Sequence, residues 1–259
     1  MHIFHEPRVT LLARQEFAPP PHIRWDSDTD VSGQKVAEFA GRLCYLSFGP
    51  DAGLEGGHKL IAGRTTNEAY LANILKVRHG SVLEHAVWTF LLEGISRALT
   101  HELVRHRHFS YSQLSQRYVD ESEVAFVLPP EIEDGSEAFD IWRRSCERSL
   151  SDYRELLARI EEQVVDEPSV TQRRKRARQA ARAVLPNATE TKIVVTGNAR
   201  AWRHFVELRG SASADAEIRR LAVALTRVLK DEAPNIFGDY RIVVTDSGVE
   251  VVETDFAGV

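Results

Sequence analysis

Apolar residues along the chain switch repeatedly between helical and strand spacing, and each switch marks an element. Val9 to Ala13 is a short apolar run that predicts an opening strand before the turn Pro19-Pro20-Pro21. Val31 to Tyr45 carries Val36, Phe39, Ala40, Leu43 and Cys44 at helical intervals, and Thr66 to Val77 predicts a second helix. Between them, Gly49 to Gly63 holds five glycines and one proline and reads as a surface loop. Leu83 to Ile95 is β-rich around Val87-Trp88-Thr89-Phe90-Leu91-Leu92 and leads into a helix over Ser96 to Val104.

The most regular stripe begins near Ser136. Phe139, Trp142, Cys146, Leu150, Tyr153, Leu157, Ile160 and Val164 alternate by three and four. Roughly thirty helical residues span about 45 Å, longer than one small core requires, so part of the stripe is expected to meet another subunit. Thr171 to Ala183 predicts a helix ending before Pro186, Lys192 to Thr196 a strand, and Ala199 to Leu208 and Ala216 to Leu229 two further helices. Ile242 to Thr245 and Val249 to Val252 predict a hairpin. The fold class is α+β: a mixed sheet with long amphipathic helices.

Composition narrows the function. The chain has 259 residues, 43% of them hydrophobic and 27% charged, as in ordinary soluble domains. A net charge of -5 argues against a dedicated nucleic-acid binder. Two cysteines, Cys44 and Cys146, give neither a disulfide framework nor a cysteine metal motif. Both fall in apolar helical patterns and are expected to be packing thiols. No run reaches membrane-span length and Met1 to Pro7 does not read as a signal peptide, so a cytoplasmic location without membrane attachment is expected.

Against that acidic background, Arg105 to Tyr118 packs three arginines, two histidines, three serines and two glutamines into fourteen residues without a carboxylate. Such a stretch is not expected to bury an apolar face. It fits an anion, because guanidinium forks bind phosphate in pairs while hydroxyls and amides complete the shell. Six more cations, Arg173, Arg174, Lys175, Arg176, Arg178 and Arg182, occur between Thr171 and Ala183 with no acid among them. Arg174, Arg178 and Arg182 share one helix face, so a polyanionic partner is expected there.

Asn198, Arg200, His204 and Arg209 form a third polar set, with Arg209 at a helix end where it can reach a cleft. His79, Glu84, His85, His101, Glu102, His106 and His108 raise the question of a metal. His101 to His106 is one residue longer than the i, i+4 ligand spacing, and neighbouring arginines repel a cation, so no metal is expected. From these residues alone, an RNA-binding module and a metal-dependent hydrolase remain as alternatives to an enzyme of nucleotide chemistry.

The spacing Arg105-His106-Arg107, seven residues, Ser115 and then Arg117 resembles the signature of the flavin-dependent thymidylate synthases. The resemblance extends from about Cys44 through His79 and Glu84 to Arg182-Ala183-Val184-Leu185-Pro186 and to Asn198 through Arg209. It implies one domain over residues 1–259, assembled as a homotetramer with active sites shared between subunits. It also implies conversion of dUMP to dTMP, with carbon from 5,10-methylenetetrahydrofolate and electrons from NADPH through FAD.

By the same resemblance, Ser81, Glu84, Arg105, His106, Arg107, Gln113, Asn198, Arg200 and His204 touch FAD. Glu102, Arg105, Gln113, Ser115, Gln116, Arg117, Arg182 and Arg209 hold dUMP. Arg209 lies against the uracil, His79 lies on the flavin and folate side, and Tyr45 matches an aromatic position near the active site. Gly49 to Arg64 is longer than the family's usual loop. Neither cysteine is placed as a nucleophile, so C5 of uracil is expected to be activated by charge from Arg209 rather than by a thiolate.

Overall fold

The structure, a computed structural model, describes residues 1–54 and 64–259. Most of the loop expected over Gly49 to Gly63, and the extra length expected up to Arg64, therefore lies outside the described residues. The described chain divides into two compact units, each assembled from separated stretches. Unit 1 comprises Met1–Arg8, Leu92–Arg105 and Tyr111–Val194; unit 2 comprises Val9–Leu91, His106–Ser110 and Val195–Val259.

In chain order the strands are β1 (Ile3–Phe4), β2 (Arg8–Arg14), β3 (Val87–Ser96), β4 (Ser110–Gln113), β5 (Phe126–Val127), β6 (Glu190–Asn198), β7 (Arg241–Val244) and β8 (Glu250–Glu253). The helices are α1 (Ser32–Cys44), α2 (Asn67–Lys76), α3 (Arg97–Leu103), α4 (Glu137–Gln163) and α5 (Val170–Ala181). They continue with α6 (Ala199–Arg209), α7 (Ala216–Glu232) and the short α8 (Pro234–Phe237). The mixed α+β class expected from the spacing is what forms. Among the described residues no helix is long and apolar enough to cross a membrane.

Within unit 1, β6 sits between β3 and β4, and β1 pairs in parallel with β5, with Ile3 opposite Phe126. Gly94 interrupts β3 at φ +63°, and a Cβ there would stand 2.9 Å from the Glu6 carbonyl, so only glycine fits this bend. Its N–H donates to Glu190 Oε1 at 3.1 Å. Helix α4 starts where Ser136 Oγ accepts from the Phe139 N–H, and it packs along α5. Its apolar stripe is buried only in the middle, at Cys146, Leu150 and Tyr153. Phe126, Cys146 and Leu150 form a small core with Val124, Trp142 and Ala188 packed against it. Phe139, Leu157, Ile160 and Val164 stay half-buried, because α4 runs past that core at both ends.

Within unit 2, β3 sits between β2 and β6, and β7 and β8 form the expected antiparallel hairpin. Trp88, Phe90, Trp202, Phe205 and Phe237 make the centre of its core. Helix α1 corrects the expectation for its face. It buries Gly33, Gln34, Ala37, Glu38, Gly41 and Arg42, while Val36, Phe39 and Ala40 are half-buried and Leu43 and Cys44 are exposed. The reason is a buried polar cluster. Glu38 accepts from Arg42 at 2.6 Å, from Ser27 Oγ at 2.6 Å and from Asn67 Nδ2 at 2.8 Å. Arg42 also donates to the carbonyls of Ser47 and Arg64. A satisfied pair of this kind can replace aliphatic burial, and the spacing of apolar residues gave no sign of it.

Candidate active site

In unit 2 the chain turns from β6 into α6 at Asn198, whose side-chain oxygen accepts from the Ala201 N–H at 2.8 Å. This turn carries the arginine-rich segment. Phe109 lies over Gly197, where a Cβ would come within 2.3 Å of its ring, and 4.3 Å from the Trp202 ring. Phe109 is 7% exposed and His106 9%. The expectation that this stretch would bury no apolar face is thus corrected: the Phe109 ring is an anchor, with His106 buried beside it, and a missing side chain at Gly197 makes the room.

Anchoring His106 brings it to the last residue of α6. Arg209 Nε donates to His106 Nε2 at 3.1 Å, so this imidazole nitrogen carries no proton. Burial, then the Arg209 charge, then His204 hold the His106 pKa down to about 4. The pairing orients the Arg209 guanidinium through a neutral acceptor.

Next to this pair lies a cavity of about 410 Å³, within the usual range for a small-molecule site. Four of the expected residues line it: Glu84, Asn198, Arg200 and His204. Arg200 Nη1 donates to Glu84 Oε1 at 2.6 Å, an ion pair whose side chains are about half exposed and therefore weakly stabilising. His108, Glu207, Gly258 and Val259 line it as well and were not foreseen. Ser81, His79, Arg107 and Tyr45 are exposed and do not line it. Tyr45 follows the end of α1, and His79 precedes the short 3-10 turn Gly80–His85.

Unit 1 holds the other set. Gln113 Nε2, on β4, donates to Thr100 Oγ1 and Thr191 Oγ1, both at 3.3 Å. The Arg117 N–H donates to Ser115 Oγ at 3.3 Å, which shapes the turn after β4, and Gln116 is buried. Arg117 Nε is buried without a hydrogen-bond partner, an arrangement that costs free energy unless a ligand completes it. Arg105 is exposed and Glu102 half-buried on and just after α3.

Arg182 opens a 3-10 turn after α5 and lies within the electrostatic reach of Arg97, the first residue of α3. Arg97 Nη1 is also buried without a partner, and burial together with Arg182 lowers its pKa. Glu121, 3% exposed, is pushed up to about 7 by burial despite the opposing pull of Arg97. Arg97 is the functional candidate that sequence reasoning missed. A single arginine after a strand, flanked by Ser96 and Ala98, has no pattern to betray it.

The cationic stretch of α5 is partly compensated, which corrects the picture of an acid-free face. Arg178 donates to the Tyr118 carbonyl at 2.7 Å and pairs with Asp120 at 3.5 Å, while Arg176 lies 3.8 Å from Glu167. These acids come from other segments, so the local charge run overstated the need for a polyanion. Lys175 sits 5.0 Å and Arg117 5.9 Å from the Tyr118 ring centre. No group of three or more metal-ligating side chains occurs among the described residues. Cys146 is buried and its thiol raised to about 11, chiefly by burial, whereas Cys44 is exposed and not a packing thiol.

Comparison with known proteins finds relatives over nearly the whole chain. The family model described as thymidylate synthase complementing protein matches residues 28–235. The flavin-dependent thymidylate synthase of Mycolicibacterium vanbaalenii is 52% identical over 250 residues, covering 96% of each chain. That of Mycobacteroides abscessus is 52% identical over 244 residues, covering 94% of each chain. The Mycobacterium tuberculosis protein of the same description is 49% identical over 250 residues, covering 96% of each. Among solved structures, the UMP/dUMP methylase PolB of Streptomyces cacaoi, bound with 5-Br dUMP, superposes with a TM-score of 0.63. It covers 92% of this chain and 96% of its own at 22% identity, a likeness of fold.

Proposed function

Because the chain belongs to the flavin-dependent thymidylate synthases, we propose that it methylates C5 of dUMP to give dTMP, using FAD as its cofactor. The carbon arrives from 5,10-methylenetetrahydrofolate at the oxidation level of formaldehyde and leaves as a methyl group. That change needs two electrons, which NADPH supplies, and the folate departs as tetrahydrofolate. FAD, when bound, provides the redox chemistry that no side chain can perform.

The observation that carries this reading is the contact between Arg209 and a neutral His106. Methylation requires electron density at C5. A guanidinium aligned by an uncharged acceptor is placed to meet the negative charge that develops over N3 and O4 of the uracil. His106 orients Arg209 and does not shuttle protons through its bonded nitrogen. No thiolate adds to C6, because Cys146 is a buried, reluctant acid and Cys44 stands on the outer face of α1.

The substrate phosphate is assigned to unit 1. Arg117 and Arg97 each present a buried, unpartnered guanidinium nitrogen, and Ser115, Gln116 and Arg182 supply further donors. Gln113, held between two threonine hydroxyls, offers its carbonyl oxygen, Glu102 contributes an acceptor, and Arg105 adds a further positive charge. The cavity of unit 2 suits part of FAD: Asn198, Arg200 and His204 give neutral and cationic donors, with Ser81, Glu84 and Arg107 from neighbouring segments. His79 serves the side where folate approaches. A homotetramer, which would cover the half-buried ends of the α4 stripe, completes the proposal.

The test is direct. The purified protein should show visible flavin absorption near ~450 nm, a property the cofactor brings with it. Formation of dTMP should require dUMP, methylenetetrahydrofolate and NADPH together. A colourless protein that cannot be loaded with FAD, or dTMP formation without added reductant, refutes the assignment.

A further inference from the structure

Two residues of the unit 2 cavity come from far along the chain, Gly258 and Val259. Val259 is 5% exposed, and a Cβ on Gly80 would stand 2.9 Å from its carbonyl carbon, so the bare backbone at Gly80 is what admits it. Gly258 has φ +77°, a conformation that favours glycine, and its N–H donates to Glu207 Oε2 at 2.9 Å. The other oxygen, Glu207 Oε1, lies 3.2 Å from the Tyr240 hydroxyl, which is also 3.2 Å from the Arg203 carbonyl.

Behind this contact stands a buried network. Arg203 is fully buried, donates to both oxygens of Asp239 at 2.7 and 2.9 Å and to the Ile236 carbonyl at 2.7 Å, and stacks on Tyr240. It reaches the Phe256 carbonyl at 3.5 Å, and Thr254 Oγ1 donates to Asp239. The segment up to Phe256 is thus tied to a buried ion pair. Beyond it, the bond from Gly258 to Glu207 holds the stretch at the cavity wall.

Glu207 is the unusual member of this wall. A carboxylate facing a cavity that receives a phosphate-bearing ligand is unfavourable unless its lone pairs are engaged. Both oxygens are engaged, one by Tyr240 and one by the Gly258 amide. We infer that Glu207 is a positioning residue that latches Gly258 and Val259 against the cavity and thereby sets how fast FAD leaves it. The inference rests on the flavin reading of this cavity and assigns Glu207 no chemical step.

FAD-loaded protein, diluted and followed by the recovery of free-flavin fluorescence, gives the release rate. Glu207→Ala removes the acceptor, and a chain shortened to end at Ala257 removes the latched residues themselves. Each should release FAD about tenfold faster or more, the size expected for a lost charge-assisted hydrogen bond. Glu207→Gln keeps a carbonyl for the Gly258 amide and should stay within about threefold of the parent, a rescue that a purely structural role does not predict. Parent-like release from both Glu207→Ala and the shortened chain overturns the latch. Should Glu207→Ala fail to fold, the shortened chain decides alone, since it leaves the segment tied through Phe256 to the buried ion pair intact. A parent protein that never takes up FAD overturns the flavin reading beneath it.

Discussion

Replacing Arg209 by alanine separates activation of the ring from binding of the substrate. The guanidinium sits at the end of α6, half-buried and aligned by His106 at 3.1 Å. At an effective dielectric of about 20, one charge at about 4 Å stabilises a developing anion by about 4 kcal/mol. At about 1.4 kcal/mol per decade this is roughly 10²–10³ in rate, allowing for water that fills part of the space. Because the charge develops only in the transition state, kcat and kcat/KM should fall together. Arg209→Lys should recover part of the loss, since an ammonium cannot span two ring atoms.

The assay is a single turnover on FAD-loaded, dUMP-saturated protein, scored by dTMP formed. A second readout follows from the same contact. Arg209 is the second cause, after burial, of the depressed His106 pKa. In Arg209→Ala the imidazole should titrate above about 4, yet still below 6.5 because burial persists, as followed by NMR. Near-parental methylation under saturation would show that Arg209 only helps dUMP bind, and the electrostatic account would fail.

Three further outcomes are expected. Glu38→Ala strands the buried Arg42 charge and should cost about 3–5 kcal/mol in urea unfolding, so a loss below about 1 kcal/mol contradicts the buried-pair account. Iodoacetamide should label Cys44 and spare Cys146 while activity persists; inactivation in step with Cys44 labelling would restore a thiol mechanism. His106 contributes stability that is full above 6.5 and lost as pH falls toward about 4, whereas Glu121, raised from 4.5 to about 7, contributes stability that is full below 4.5 and lost as pH rises through 7. Each amounts to up to about 3 kcal/mol and they oppose one another between 4.5 and 6.5, so Glu121→Gln should be more stable than the parent at pH 8 and steeper in acid; equal stability at pH 8 refutes it.

Long helices were legible in the sequence because their apolar spacing and caps agree, as at Ser136 for α4 and Asn198 for α6. The hairpin of β7 and β8 was equally plain. What escaped depends on groups distant in sequence. Glu38 and Arg42 turn the apolar pattern of α1 inside out because Asn67 and Ser27 complete them. Strand β4 hides inside the arginine segment, since Ser110 to Gln113 has no apolar alternation. The motif residues of the candidate site could be picked out, but Arg97, Glu207 and Val259 could not, because burial and a carbonyl contact, not residue type, give them their roles.

The interleaving of the two units has a consequence for synthesis. A ribosome delivers Val9–Leu91 early, yet this stretch belongs with Val195–Val259, which emerge only after every residue of unit 1. Unit 1 has all its residues once Val194 is made, while unit 2 must wait for the final quarter of the chain. Throughout that interval the first half of β3 lacks the second half of β6, Phe90 has no Trp202 and Trp88 no Phe237 to cover it. Contacts of such large sequence separation close slowly and leave apolar strands open to other chains. Yield in cells should therefore depend on how the nascent chain is shielded before its last helices arrive, more than on the stability of the finished protein.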